Sequence, residues 1–558
     1  MKKLLSLLFV LIPIVLFAQT DTVISKTPEI ELPDFVITGT TKIEMPTQMK
    51  ETPDVISALS EQFILPRIGV ESLELEGLTD PTKLQAKIKD SLDYNNFRLF
   101  AGAGLNYLPS INAFYSNRID KFKINAFASF DKVRNYLPNS GYHDLLVGGS
   151  ATYIIRKENE PPARINIAGS FNQYNYSPFA SLADNLPATS IADLPATSIS
   201  ERQAGRQAGE FRTSNFIKIN GAFENLFWRE FNVDLGGFAD IHYLSDYNSS
   251  HFNFSPFISA KSSFEHFILS TKFNPSLLKT STSTSENDLI LALSSEMQLR
   301  KLFDRMNISV GLDYQSKSET GKQFLGPSAS IGFGILENLS IGFMYQNRLI
   351  QQTPVNLWKR NPYIDTLYYR HNYERIKNKF GFAARFYPDR LMNIEFNIST
   401  YDHKGKISFI PSTTNIGYFK VLPLDTKVLE ANFLANLTLG SIGDVFAEVK
   451  YLESKIDSNS KIEPFAPRIQ VNVTYTYKFD FPLSLKLRFL YNSLSYSDTN
   501  NISKVGDYLD LGMNLEYEIE KYLRIGIEAT NILNRRNYQW INYQSKPIDV
   551  LFYLSTNL

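Results

Sequence analysis

Gln470-Val471-Asn472-Val473-Thr474-Tyr475-Thr476-Tyr477 alternates polar and apolar side chains without a break. A period of two sends Val471, Val473, Tyr475 and Tyr477 to one face of an extended strand, and Asn472, Thr474 and Thr476 to the other. The two faces must therefore meet unlike surroundings. The same reading applies to Phe97–Tyr107, with Phe97, Leu99, Ala101, Ala103 and Leu105 on one face. Comparable segments continue to Ile548–Leu554, about 22 in all, and no convincing amphipathic helix interrupts them.

The connections between these segments alternate short and long. Tyr387-Pro388-Asp389-Arg390, Gly440-Ser441-Ile442-Gly443, Asp480-Phe481-Pro482 and Glu520-Lys521 are short, whereas 177–212, 351–373, 402–426, 455–467 and 533–547 are long. Tight turns at one end and extended loops at the other are the asymmetry of outer-membrane β-barrels, and an even strand count puts both termini on the turn side. The sequence thus predicts an all-β fold, a transmembrane antiparallel β-barrel of about 22 strands. Its apolar faces would look to lipid and its polar faces to a wet lumen. Tyr107, Tyr387, Tyr451, Tyr477, Tyr491 and Tyr517, near segment ends, suit aromatic girdles at the membrane interfaces. The competing reading is a soluble β-solenoid or sandwich array. Segments near 11 residues match a tilted membrane crossing better than the shorter strands usual in soluble proteins.

The bulk properties narrow the function classes. No Pro/Gly/Ser-rich linker divides the 558 residues, and 57 basic side chains balance 57 acidic ones. That balance argues against nucleic-acid binding, which calls for a basic patch. The absence of cysteine excludes a disulfide scaffold, a Cys-ligated zinc and a lipid-modified N-terminal Cys. His143, His242, His251, His266, His371 and His403 show no metal-ligand spacing, and they read as solvated loop residues. His143-Asp144 has no nucleophile context, and no phosphate-cradling glycine loop is present. We therefore expect no cofactor and no enzymatic role.

The N-terminus reads as an export signal. Lys2 and Lys3 precede an apolar run from Leu4 to Phe17, with a plausible cleavage site at Ala18-Gln19. An uncleaved anchor is the alternative, but the run falls short of the ~20 residues that span a bilayer. The expected organisation is a signal peptide at 1–19, a periplasmic segment at 20–95 and the barrel at 96–558. Within the periplasmic segment, Asp54–Ile64 and Thr79–Leu92 are candidate short helices.

After the signal peptide stands Glu31-Leu32-Pro33-Asp34-Phe35-Val36-Ile37-Thr38-Gly39-Thr40. An acidic-Leu-Pro start running into Val-Ile-Thr-Gly-Thr resembles the energy-coupling segment of TonB-dependent outer-membrane receptors. Asn361-Pro362-Tyr363-Ile364 with Phe380-Gly381-Phe382, and Ala529-Thr530-Asn531-Ile532-Leu533-Asn534 with Tyr538, are similar to that family's loop-to-strand and penultimate-strand motifs. The resemblance implies a 22-strand barrel that binds or transports a solute. It also implies a TonB-like partner, engaged by strand addition through Leu32, Pro33, Asp34, Phe35, Val36, Ile37 and Thr38. An unpaired linker with β-prone residues is the other reading of that stretch. The chain departs from the family in two places. Lys546-Pro547-Ile548-Asp549 and Leu558 replace the usual final-strand residues, and the 55 or so residues between Thr40 and Asn96 are too few for the family's plug domain.

The best ligand candidate is the loop at 351–373, which carries Trp358, Arg360, Tyr363, Tyr368, Tyr369 and Arg370. Aromatic faces interleaved with cations can grip sugars, chelates or peptides, or else brace the loop over the barrel mouth. The repeats Leu186-Pro187-Ala188-Thr189-Ser190-Ile191 and Arg202-Gln203-Ala204-Gly205, each occurring twice, read as duplications tolerated in a surface loop. The expected function is binding or transport of a solute across the outer membrane of a diderm bacterium, with lipid around the barrel. A docking or structural barrel and a passive pore are the alternatives.

Overall fold

A computed structural model describes residues 97–558, apart from 138, 156–161, 178–210, 229–230, 246–247, 265, 283–284, 303–304, 318–322, 390 and 414–416. The predicted signal peptide, the stretch Leu32–Thr38 predicted to couple to a partner, the two candidate helices before residue 96 and the duplicated loop repeats lie outside the described residues. In chain order the strands are β1 (Phe97–Gly104), β2 (Tyr107–Ile119), β3 (Phe122–Val133), β4 (Tyr142–Ile155), β5 (Ala163–Tyr176), β6 (Arg212–Trp228) and β7 (Phe231–Leu244). Next come β8 (Ser249–Ser263), β9 (Phe267–Ser281), β10 (Ser285–Leu302), β11 (Met306–Lys317), β12 (Gln323–Leu336) and β13 (Leu339–Gln352). They continue with β14 (Asn372–Asp389), β15 (Met392–Pro411), β16 (Phe419–Thr438), β17 (Asp444–Ile456), β18 (Ile469–Lys478) and β19 (Leu483–Asn492). The last are β20 (Ser495–Tyr496), β21 (Lys504–Val505), β22 (Tyr508–Glu520), β23 (Leu523–Thr530), β24 (Tyr538–Trp540), β25 (Tyr543–Gln544) and β26 (Asp549–Asn557).

Twenty-two of these strands form one antiparallel sheet; β20–β21 and β24–β25 are small hairpins within two long loops. Each barrel strand pairs with its sequence neighbour, and β26 closes the ring on β1. The chain ends complete the seam: Phe97 N donates to Leu558 O at 3.0 Å, and Leu558 N donates to Phe97 O at 2.8 Å. Closure leaves no sheet edge, the condition for a β structure in hydrocarbon. Each of the 22 predicted segments falls on a different barrel strand.

Register shows why the alternation is inverted. Directly opposed residues of antiparallel strands share a face. Ala447, Val473, Phe489 and Leu511 therefore form one row across β17, β18, β19 and β22, and Val449, Val471, Tyr491 and Leu509 form the next. Leu487 and Phe489 on this face are exposed, as are Phe343, Phe396, Phe433 and Ile525 elsewhere round the ring. A continuous exposed apolar belt is what lipid contact requires. On the opposite face the rows run Glu448–Asn472–Leu490–Asp510, Phe446–Thr474–Arg488–Gly512 and Asp444–Thr476–Lys486–Asn514, polar at most positions. Inward ion pairs such as Arg385–Glu395 at 3.0 Å and Lys450–Glu448 at 2.9 Å follow from this placement.

The turn end is economical. Between β16 and β17, Gly440–Ile442 forms a 3₁₀ turn that ends at Gly443, where φ is +104°. A side chain at Gly443 would also strike the Thr476 carbonyl, so glycine is needed on both counts. At the opposite end the strands run further than alternation predicts. β15 and β16 have 20 residues each, and their ladder continues from Lys406–Leu424 to Pro411–Phe419. A bulge at Gly405, with φ of +65°, carries the ladder past His403. Residues 402–426, predicted as loop, are thus mostly strand. The outer half of β15 is covered on both faces, and a strand so covered no longer alternates.

Tyr107 is a second correction. It does not sit in the outer girdle; its ring is buried inside the wall under Lys546 Nζ, 3.8 Å from the centroid. It lies where the extended rims of β2 and β3 pack against the last long loop. Tyr451 and Tyr517, by contrast, are exposed on the apolar face.

The inside-out reading makes a paired prediction. Val473→Lys, on the apolar face at mid-strand, should cost about 2–4 kcal/mol of stability in bilayers. Thr474→Lys, one residue along and facing the lumen, should be near neutral. Urea titration of the reconstituted barrel followed by tryptophan fluorescence measures both.

Candidate functional site

The long connection between β13 and β14 folds over the mouth of the barrel and is built from local signals. Thr353 accepts a bond from Asn356 N at 3.2 Å through Oγ1, capping the helix α1 (Pro354–Arg360), with Pro354 in its first turn. Asn361 ends that helix, its N–H on Leu357 O and its Oδ1 accepting from Tyr363 N at 2.9 Å. Pro362 follows, and Asp365 caps a 3₁₀ turn, Thr366–Tyr368. Seven helical residues have no stability of their own in water, so packing must hold this segment. Leu357, Trp358, Ile364 and Tyr369 are buried in one cluster with side chains from several loops and strand ends.

Three stretches of wall grip it. On β5 and β6, Tyr176 Oη donates to Pro362 O at 2.5 Å and receives a bond from Trp358 Nε1 at 3.0 Å. The fully buried Arg212 gives one nitrogen to both Pro362 O and Ile364 O, each at 2.9 Å. On β7 to β9, His242 Nδ1 meets Tyr369 Oη while its Nε2 lies 2.7 Å from Ser214 Oγ. Nearby, Thr280 Oγ1 lies 3.0 Å from His371 Nε2 and 3.2 Å from His251 Nδ1.

On the far arc, Arg360 pairs with Glu374 at 3.2 Å and donates to Ile407 O at 2.6 Å. A short parallel bridge adds Asp365 N to Phe419 O at 2.9 Å and Phe419 N to Tyr363 O at 3.0 Å. Finally, Tyr363 stacks on Tyr543 of the β24–β25 hairpin, with centroids 3.6 Å apart. Neighbouring loops are fastened in turn. Asn531 Nδ2 holds the carbonyls of Arg535 and Lys546 at 2.9 and 3.0 Å, and Glu463 takes Lys406 at 2.6 Å and Ser408 at 2.7 Å.

The electrostatics of the cap favour neutral donors. Burial raises the Tyr363 and Tyr369 hydroxyls above the usual tyrosine range, so both stay protonated. Burial, with Lys317 nearby, pushes His371 down to about 4. Burial lifts the Glu463 carboxyl, but Lys406 and two serines outweigh it and hold the group below its ordinary value.

Of the six residues read as a ligand loop, Trp358, Arg360, Tyr363 and Tyr369 thus have their polar atoms or ring faces occupied by protein. Tyr368 is half-buried and Arg370 is exposed. Sequence reasoning missed Arg212, His242, His251 and Thr280, and its picture of solvated histidines needs correction. His242, His251, His371 and His403 are all buried. A signal existed for one pair: His242 and His251 stand directly opposite on β7 and β8, equidistant from the hairpin tip. Nothing local in the sequence marks Arg212. Among the described residues no group of three or more His, Cys, Asp or Glu is arranged to hold a metal ion.

No protein-family profile and no curated relative matches the chain. Solved structures do match. The siderophore receptor PirA from Acinetobacter baumannii superposes with a TM-score of 0.61 at 11% identity, covering 83% of this chain and 80% of that one. The FrpB iron transporter from Neisseria meningitidis gives 0.63 at 12% identity, covering 82% and 81%. The ferric-catecholate import receptor Fiu from Escherichia coli K12 gives 0.61 at 10%, covering 83% and 81%. The chain shares their barrel fold. That likeness and the sequence resemblance to TonB-dependent receptors point to the same architecture.

Arg212→Met should loosen the cap, because charge-assisted bonds to two backbone carbonyls, one of them buried, are lost at about 1.5–3 kcal/mol each at most. The expected result is faster trypsin cleavage after Arg360, read by mass spectrometry, with the barrel itself still intact.

Proposed function

We propose that this protein is an outer-membrane receptor that takes up a solute too large for general porins, with an energy-coupling partner acting through Leu32–Thr38. The observation that carries the reading is the closed 22-strand barrel with an apolar exterior and a polar lumen, in the fold shared by siderophore and iron receptors. Barrels of this size enclose a lumen far wider than a small solute needs, which calls for internal obstruction. The cap over the mouth supplies part of it, and this argues against a permanently open passive pore. A transporter needs no reaction chemistry, and the buried histidines and tyrosines of the cap are all in structural contacts. Iron chelates, the cargo named for the neighbouring structures, are the first solutes to test.

Within the cap we assign division of labour. Trp358, Arg360, Tyr363 and Tyr369 hold the platform, while Tyr368 and Arg370 offer first contact to an arriving ligand. The coupling stretch would act as an added strand, with main-chain bonds giving affinity and Val36 and Ile37 favouring extension. The signal peptide at 1–19 would deliver the chain to the periplasm, and both chain termini of the barrel would face it.

The capped mouth is also what a docking barrel would have, so the decisive experiment separates the two. Uptake of a labelled ferric chelate is measured in cells carrying the full protein or a variant lacking residues 32–38. Transport with coupling predicts uptake in the first and loss of at least nine-tenths of it in the second, with equal barrel in the outer membrane. Uptake unaffected by the deletion would leave a passive route, and no uptake of any chelate by the full protein would favour docking.

A further inference from the structure

The seat of the cap on β7 to β9 is made almost wholly of imidazoles and hydroxyls, where the far arc uses a full ion pair. We propose that the 353–371 segment is a lid latched by neutral His242, His251 and His371, and that protonation of this cluster lifts it from the wall. The inference concerns lid movement alone and holds whatever solute the barrel carries.

Hydrogen-bond accounting is the first support. Thr280 Oγ1 is addressed by His251 Nδ1 and His371 Nε2, and a hydroxyl has one proton to give. It donates to one ring and accepts from the other only while at least one of the facing nitrogens is bare. The remaining nitrogens, His251 Nε2 and His371 Nδ1, are buried without hydrogen-bond partners. Protonating both rings would therefore bury additional unsatisfied N–H groups.

Charge is the second support. The two rings lie 5.0 Å apart between centroids. Lys317, held by Asp288 at 3.0 Å, faces His371. Arg212 of β6, Lys359 of the lid and His251 itself face His242. Besides Asp288, which is spent on Lys317, the described residues place Asp240 of β7 beside the cluster, its Oδ1 3.9 Å from His251 Nε2 and its Oδ2 already bonded to Asn253. Two or three imidazolium charges in so cationic and dry a place cannot be accommodated; exposure to water relieves them. Position is the third. Tyr369 and His371 belong to the lid, while His242, His251 and Thr280 belong to the wall, so the cluster straddles the surface that must part.

A histidine that is harder to protonate when seated than when free stabilises the seat fully above the free value of about 6.5, and that stabilisation is lost as pH falls below it. With the seated His371 at about 4, that residue alone shifts the open-to-seated ratio about 30-fold between pH 7.5 and 5.0.

The absence of native cysteine makes the test direct. Thr366→Cys places a thiol in the buried turn of the lid, and Ile502→Cys places one on an exposed loop as reference. Each full-length variant, in detergent micelles, is labelled with 4,4′-dithiodipyridine at pH 7.5 and 5.0, and circular dichroism checks that the barrel persists. The Thr366→Cys rate, divided by the reference rate at the same pH, should rise at least tenfold on acidification. Adding His251→Gln and His371→Gln should flatten that rise. A ratio unchanged by pH, or an equal rise in the glutamine background, would overturn the proposal. Should the double replacement label quickly at pH 7.5, its seat has lost its packing; His371→Gln alone, with His251 still on Thr280, then decides by the same criterion.

Discussion

Closure of the backbone ladder is the constraint on which everything else rests. A strand in hydrocarbon must spend every N–H and C=O on a neighbour, because water is absent and each unpaired group costs several kcal/mol. Pairing of β26 with β1, down to the reciprocal bonds of Phe97 and Leu558, removes the last free edge. Once the ring is closed, side chains have only two destinations, lipid or lumen. The apolar row Ala447–Val473–Phe489–Leu511 and the mostly polar row Glu448–Asn472–Leu490–Asp510 are consequences of that choice.

A ring of 22 strands solves the backbone problem and creates another, a lumen too wide to leave open. The mouth answers it with a second layer of structure, assembled by a different logic. The outer halves of β15 and β16 rise beyond the apolar belt, and the 353–371 segment leans from them to β5–β9. Its core is aromatic: Trp358, Tyr363, Tyr369, Phe419 and Tyr543 pack on one another, with Arg212 tying the backbone. The two sides are held differently. Arg360–Glu374 on one side is a half-buried, hydrogen-bonded ion pair; the seat on the other side is a cluster of imidazoles.

Legibility in the sequence follows the same division. Where a strand has lipid on one face and water on the other, as at Gln470–Tyr477, alternation is complete and the strand can be read residue by residue. Where both faces are covered, as at Ile407-Ser408-Phe409, the pattern fades and 402–426 reads as loop. Tyr107 was misplaced for a related reason: a tyrosine near a strand end looks the same whether it faces an interface or a packed rim. The aromatic and cationic composition of 351–373 singled the segment out as either a ligand loop or a brace. It could not distinguish side chains that offer a surface from side chains that build one.

The sequence by itself determined the number of strands, their order, the sense of their faces and the end that carries the long loops. These depend on contrasts within a few residues, and a period of two records them locally. Only the tertiary structure decided what sits in the mouth. Arg212 meets Pro362 across 150 residues of chain, and His242 meets Tyr369 across 127. Such partners are chosen by the curvature of a closed ring, which brings distant loops over one opening and leaves no periodic trace in the residues it joins.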